Sequence, residues 1–399
     1  MKIVQVSTWD VPCGIAAYTK ALRSAIQKVS VNCDVLPIEE SRMKYMTSDE
    51  IKEYLKFIAE KLSGYDVIHI QHEFSFFTGS YGLVGSIQYF HYFLKALIKY
   101  KKPIVVTFHT EPYFFQNFSG FKGLITKKIL RAWWQYYIAK LFTAKNKLTA
   151  IVHTKTTRRI FLDSGFAKET VHILKQGVTF SPDTQSIDDH EKLLIKKQMG
   201  FPDDAIILSM FGFISTYKGY LTALNAMKVL PDNYYLLIIG SPHPNAEDAA
   251  LDKIIGFIEE EKTAEPTRNL YARVKLTGYL SFDEVRYYQK ITDISLSPYI
   301  GGTTISSSAA LTWALSSGKP VIASKIPSFK ELNEENNCLY LFTPDCANEL
   351  AYTIQNMKLD SQKNTDIVIN GMKYCEMNQW SNVAKKHIDL YQKLSSSVS

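Results

Sequence analysis

Cysteine is scarce in this chain. Five occur in 399 residues, at Cys13, Cys33, Cys338, Cys346 and Cys375, and no pair has the spacing of a zinc ribbon or a dithiol redox site. They are also too few and too scattered for a disulfide framework. Long apolar runs are missing too: the most apolar window, 83–98, is interrupted by Gln88, His91 and Lys95 and is too short to cross a bilayer. No internal repeat or low-complexity segment is present. The opening Met-Lys-Ile-Val-Gln-Val-Ser reads as a strand rather than a leader, because no long apolar stretch follows it. Disorder is excluded by a 46% hydrophobic and 21% charged composition. At roughly 100–200 residues per domain the length favours two domains. These absences point to a soluble, cytoplasmic, two-domain protein.

Acidic residues are missing from one long stretch. Between Phe74 and Leu162 the only acid is Glu111, against fourteen lysines and arginines. The formal net charge is +7, so the rest of the chain is acidic overall. Aromatic residues interleave with the cations at Phe114, Phe115, Phe118, Phe121, Trp133, Trp134, Tyr136 and Tyr137. A surface of that kind attracts anionic lipid headgroups, and its apolar residues settle at the interface. Single-stranded nucleic acid is the rival partner. The third reading has the aromatics filling a core while the lysines line a solvated face.

Short apolar segments alternate with longer amphipathic ones, the pattern of a mostly parallel sheet covered by helices. Strands are expected at 2–6, 66–70, 104–108, 148–152 and 170–174, with helices at 16–29, 49–62 and 126–142 among them. A polar linker is expected at 179–190. A second series follows at 205–211, 234–239, 274–277, 294–297 and 321–323. Two such arrays imply an α/β protein with two doubly wound domains facing each other across a cleft, where ligands bind beyond the carboxyl ends of the strands. The tail, 380–394, reads as an amphipathic helix with Ser381 as its cap.

The most informative segment runs from Ser297 through Pro298, Gly301, Gly302, Thr303, Thr304, Ser306, Ser307, Ser308, Ala309 and Ala310 to Gly318. A strand end, a loop of glycines and hydroxyls, and a helix from about 308 to 317 would turn free amides and a positive helix end toward a ligand. A diphosphate suits that arrangement, although an ordinary serine-capped helix is the alternative. In the same register, the segment 210–219 places Gly212 after a strand and Lys218 at the start of a helix. An ammonium there could neutralise a leaving diphosphate. In the first half, a glycine turn at Cys13-Gly14 follows the first strand. His72-Glu73 and His109-Thr110-Glu111 follow two others. These two imidazoles and two carboxylates could form a binding site or a metal cluster, but their spacing matches no familiar ligand set.

These segments, in this order, resemble the retaining glycosyltransferases of the GT-B fold, glycosyltransferase family 4. The match spans almost the whole chain, from Cys13-Gly14-Ile15-Ala16 to the Trp380–Tyr391 region, which resembles the helix that crosses back to the first domain. The resemblance implies an acceptor-binding domain at 1–180, a nucleotide-sugar-binding domain at 190–375 and a returning helix at 376–399. It implies transfer of a hexose from a nucleotide-sugar to a glycan or lipid-linked acceptor, with retained configuration, no metal and no cofactor. The setting would be bacterial envelope polysaccharide synthesis. The protein would sit at the inner face of the membrane through region 95–159 and would not bind nucleic acid.

By the same resemblance, Gly14 and Gly212 approach the donor, and His109 contacts its sugar, with His72 and Glu73 nearby. Lys218 binds the diphosphate with the amides of Ser308, Ala309 and Ala310. Gly278 and Tyr279 hold the base, and Glu331 stands where the family often has a glutamate. The chain departs from the family pattern at Phe213, where many members carry arginine, and at Ile305 and Trp313, where many carry paired glutamates. The hydroxyls of Thr303, Thr304, Ser306 and Ser307 are the available substitutes. A sugar-nucleotide epimerase, or a non-catalytic sugar-nucleotide binder, is the other reading of the same fold.

Overall fold

The computed structural model describes residues 1–112, 120–179, 188–242, 249–264, 270–303, 305–357 and 361–396. Its described residues divide into two compact units. One comprises Met1–Gly177, Thr304–Ser307 and Asn378–Ser399, the other Val178–Thr303 and Ser308–Met377.

In the first unit, apolar runs such as Ile-Val-Val-Thr-Phe contribute to six parallel strands, the central four of which are buried on both faces. They are β1 (Lys2–Ser7), β2 (Asn32–Pro37), β3 (Val67–His72), β4 (Ile104–Phe108), β5 (Leu148–Val152) and β6 (Val171–Ile173), in the spatial order β2-β1-β3-β4-β5-β6. The order reverses between β1 and β3. Strand alternation separates two packing layers. Ile68, Ile70, Val106 and Phe108 join an aromatic-rich core with Phe77, Phe90, Phe93 and Trp134. Ile3, Val67, Val105 and Ile151 face the other way, onto Tyr18, Leu22 and Ile26 of helix Gly14–Gln27 and onto Ala384, Ile388 and Tyr391 of the C-terminal helix Trp380–Ser396. The C-terminal helix therefore packs in the first unit, although helix Ser361–Met377, just before it, lies in the second.

The second unit repeats the design with β7 (Ile206–Phe211), β8 (Tyr234–Ile239), β9 (Val274–Leu276), β10 (Ile294–Ser297), β11 (Val321–Ser324) and β12 (Tyr340–Phe342). Its order is β12-β11-β10-β7-β8-β9, all parallel, reversing between β7 and β10. The fold is α/β with two doubly wound parallel sheets, as expected.

Three local expectations need correction. Helix 126–142 is instead helix Gly120–Trp133 followed by a π turn at Trp134–Ile138 and a 3-10 turn at Ala139–Leu141. The wider turn carries Trp134, which is 1% exposed, into the aromatic core. Lys218 does not open a helix. It ends the 3-10 turn Thr216–Lys218, and helix Tyr220–Val229 begins after Gly219. Ser381 lies inside the last helix rather than capping it: the Asn382 and Val383 amides donate to Gln379 O at 2.9 and 3.0 Å. Two strands escaped the sequence reading. β12 is only three residues long, and β2 (Asn-Cys-Asp-Val-Leu-Pro) carries too few apolar residues to stand out.

Candidate functional site

In doubly wound sheets, ligands bind beyond the strand ends where the strand order reverses. In the second unit that point lies between β7 and β10, and both segments singled out there are found at it. β7 ends at Phe211, and Gly212 follows at φ +105°. A Cβ on Gly212 would stand 2.4 Å from Lys218 Nζ and would displace the ammonium, and side chains rarely adopt this φ. Gly219 is equally constrained: at φ +72° its Cβ would meet Pro298 O at 1.8 Å. This close approach brings the turn carrying Lys218 against the end of β10.

Lys218 is 6% exposed and donates to Phe211 O at 3.3 Å. Burial pushes its pKa down to about 7. Next to it, helix Ala309–Ser316 starts from an N-cap at Ser308, whose Oγ accepts from Leu311 N at 3.1 Å and is bonded to Tyr299 OH at 2.8 Å. The Ala309 and Ala310 amides have no acceptor among the described residues, as expected at a helix N-terminus. A cavity of about 10 Å³, room for roughly one water, lies beneath, lined by Lys218, Ser209, Ser295, Ser297, Tyr299 and Ala310 among others. A buried lysine with one carbonyl partner, beside amides that have no acceptor among the described residues, is an arrangement that could receive an anion.

The remaining second-unit residues are more dispersed. Gly278 is at φ +77° with open space at its Cβ position, and Tyr279 is 68% exposed. Glu331 is buried on helix Pro327–Asn336. Phe213 follows the glycine turn and is half-buried. Trp313 packs its ring 5.6 Å from Phe211, so an apolar contact stands where a paired glutamate was sought.

The first unit has its own rim at the ends of β1, β3 and β4. Gly14 opens helix Gly14–Gln27 with nothing within 4 Å of its Cβ position, so ligand could approach the backbone there. His109 Nε2 bonds Gln71 Oε1 at 2.9 Å, and its ring meets Tyr18 edge-on at 4.8 Å. Burial, and secondarily His153 and His72, hold the His109 pKa well below the usual histidine value. Thr110 Oγ1 donates to the Glu73 carboxylate at 2.7 Å, and burial raises Glu73 to about 7. Ser306 Oγ donates to His109 O at 2.8 Å, Ile305 pairs with Thr110, and Ser307 Oγ donates to Gln176 Oε1. Residues 305–307 of that segment thus pack within the first unit. Thr304 lies outside the described residues.

His72 does not join this rim. It occupies an alternate position of β3 that faces the aromatic core, with ring centroids of Phe90 at 4.2 Å, Phe108 at 4.8 Å and Phe74 at 5.0 Å. Among the described residues neither ring nitrogen has a partner, and burial lowers its pKa to about 3. Glu111 also turns away, accepting from Thr157 Oγ1 at 2.9 Å while 6% exposed. Among the described residues no group of three His, Cys, Asp or Glu could hold a metal ion.

The basic stretch differs from the sequence expectation in its apolar partners. Trp134 is buried and Trp133 and Tyr137 are half-buried, leaving Tyr136, 63% exposed, as the outward aromatic. Phe114, Phe115 and Phe118 lie outside the described residues, as does the side chain of Phe121. Helix Gly120–Trp133 instead exposes aliphatic residues, Leu124 at 56%, Ile125 at 44% and Ile129 at 49%, beside exposed Lys122, Lys128 and Arg131. The lone acid of the stretch, Glu111, is buried. Among the described residues no helix is long and apolar enough to cross a membrane.

Sequence reading missed a group of buried polar residues, Gln5, His69, Gln71, His153 and Tyr391. For Gln5, His69 and Gln71 the signal was present as polar residues at alternate positions of otherwise apolar strands.

Residues 191–374, which lie in the second unit apart from Thr304–Ser307, match the model of the family described as Glycosyl transferases group 1. No curated protein sequence matches the chain. Among solved structures, HepE of Anabaena in complex with UDP-glucose superposes with a TM-score of 0.69 at 14% identity, covering 98% of this chain and 100% of that one. A glycosyltransferase from Rickettsia africae gives 0.71 at 13%, covering 98% of each. Sucrose-phosphate synthase from Thermosynechococcus elongatus gives 0.72 at 17%, covering 100% of each. The chain thus has the GT-B glycosyltransferase fold throughout, and over residues 191–374 it is similar to glycosyl transferases group 1.

Proposed function

We propose that the chain transfers a sugar from a nucleotide-sugar donor to a glycan or lipid-linked acceptor, with retention of anomeric configuration. One observation carries the reading: Lys218 and the unpaired amides of helix Ala309–Ser316 share the strand-order reversal of the second unit, inside the segment that matches group 1 transferases. Departure of the nucleoside diphosphate breaks the anomeric C–O bond and leaves negative charge on the phosphate. Lys218 is already buried and the amides are already oriented by the helix, so they meet that charge with little reorganisation. An arriving diphosphate favours the protonated lysine, which burial alone holds near half-protonation at neutral pH. The departing phosphate then takes the proton of the acceptor hydroxyl as the new glycosidic bond forms.

In this reading the first unit binds the acceptor, while Gly14 and His109 contact the donor and Gly278 and Tyr279 hold its base. Complexes of HepE with UDP and UDP-glucose make a uridine donor the first to try. The protein works at the inner face of an anionic membrane, in envelope polysaccharide synthesis. Exposed Leu124, Ile125 and Ile129 beside Lys122, Lys128 and Arg131 support the membrane contact. Incubation with UDP-, GDP-, ADP- and CMP-sugars and lipid-linked acceptors tests the reaction. A glycosylated product of retained configuration is expected from one donor. Donor consumption without such a product would move the reading to an epimerase, and donor binding without any turnover to a non-catalytic binder.

A further inference from the structure

The first sheet buries polar side chains that the proposed reaction leaves unused. Gln5 on β1, His69 and Gln71 on β3, and Thr107 on β4 face the helices Gly14–Gln27 and Trp380–Ser396, each 0–1% exposed. Uncompensated, so many buried polar groups would be costly. They are instead joined in one hydrogen-bonded chain, and its donors and acceptors can be assigned in order.

The order starts at Cys33. Gln5 Nε2 donates to Cys33 Sγ at 3.4 Å, which turns Gln5 Oε1 toward Gln71. Gln71 Nε2 donates to that oxygen at 3.0 Å, so Gln71 Oε1 faces His109. At 2.9 Å from His109 Nε2, this oxygen can only accept. His109 therefore carries its proton on Nε2 and its lone pair on Nδ1, and Nδ1 has no partner among the described residues. The second N–H of Gln71 points at His69 Nε2, 3.4 Å away, where Thr107 Oγ1 also lies at 2.8 Å. His69 thus accepts at Nε2 and donates from Nδ1 to the hydroxyl of Tyr391 at 2.7 Å. Tyr391 is fully buried on the C-terminal helix.

We propose that Gln71 is a positioning residue: it holds His109 in the Nε2–H tautomer, so that Nδ1 offers a lone pair to a substrate hydroxyl, and the C-terminal helix buttresses it through Tyr391 and His69. Cationic His109 would lose that lone pair, and its surroundings oppose the charge. Tyr18 covers it from the first helix, His153 lies 5.7 Å away just after β5, and His72, at the end of the neighbouring β3, adds a smaller opposing contribution. Among the described residues no carboxylate is bonded to the ring. The use of Nδ1 rests on the proposed function; the tautomer does not.

The test is side-chain nitrogen NMR of His109, assigned by loss of its signals in His109→Asn, together with kcat and KM for wild type, Gln71→Met and Gln71→Glu. Wild type is expected to show protonated Nε2 and bare Nδ1. In Gln71→Glu the new carboxylate should draw a second proton onto the ring and raise its titration, an effect that a merely structural residue at position 71 would not produce. Gln71→Met should lose about 10–100-fold in kcat/KM, by analogy with the hydrogen-bond partners that orient metal-bound histidines. Gln5→Met, which reaches His109 only through Gln71, serves as a second variant should Gln71→Met not fold. A wild-type proton on Nδ1, or an unchanged titration in Gln71→Glu, overturns the positioning role. The expected tautomer combined with wild-type turnover in Gln71→Met leaves the positioning intact and sinks the role of His109 in the reaction.

Discussion

Replacing Lys218 with methionine separates what the ammonium does for the reaction from what it does to the fold. In the free protein the lysine is buried with one carbonyl partner, and its pKa is about 7 against 10.5 in water. That difference corresponds to about 5 kcal/mol disfavouring the charged form. The unfolded chain binds the proton up to pH 10.5 and the folded chain only up to about 7. The cost is therefore fully present below pH 7 and fades as pH rises toward 10.5. Methionine keeps most of the volume without the charge. Lys218→Met should thus stabilise the second unit by about 2–5 kcal/mol at pH 6, at roughly 2–4 °C in Tm per kcal/mol, with the gain nearly gone by pH 10. Turnover should fall about 10²–10³-fold, the usual effect of removing one preorganised partner of developing charge. Calorimetry across pH and initial rates provide both numbers. A destabilised variant with normal turnover would refute the placement of Lys218 as a strained cation waiting for an anion.

The buried neutral histidines make the first unit acid-labile. With His153 and His387 at about 4 and His72 at about 3, against 6.5 unfolded, each should cost about 2 kcal/mol at pH 5, and circular dichroism should show cooperative unfolding between pH 6 and 4. His72→Phe should then raise acid stability and leave turnover unchanged; a loss of activity would return His72 to the site. Gly219→Ala drives a Cβ into Pro298 O from a left-handed backbone and should cost about 3 kcal/mol or more, together with donor binding. The triple change Leu124→Ser, Ile125→Ser, Ile129→Ser should abolish cosedimentation with anionic vesicles while turnover on a soluble acceptor persists. Unaltered sedimentation would remove that helix from the membrane contact.

Most of the architecture was legible because parallel strands advertise themselves as short, mainly apolar runs between turns, and ten of the twelve strands were anticipated in that way. β2 failed this test because an edge strand needs fewer apolar residues. The helix starting at Gly120 ran on too far in the sequence reading because a π turn preserves the apolar pattern while shifting its phase. The second-unit site was readable because its chemistry is local: a glycine, a lysine and a serine cap stand within short segments after two strands. His72 was misjudged for the opposite reason. Beside Glu73 it looked like half of a polar pair, but successive residues at a strand end point to opposite faces, and Phe90 and Phe108, far along the chain, decide its surroundings. The Gln5–Gln71–His109 chain depends on register between three strands, which no single segment encodes.

The most direct measurement is the thermal shift produced by nucleoside diphosphates and their sugar conjugates on wild type and on Lys218→Met, both at pH 6.5. A ligand at 100 times its Kd should stabilise the wild type by about 2.7 kcal/mol and the variant hardly at all. Equal shifts in both proteins, or no shift with any nucleotide, would contradict a diphosphate site at the β7–β10 reversal.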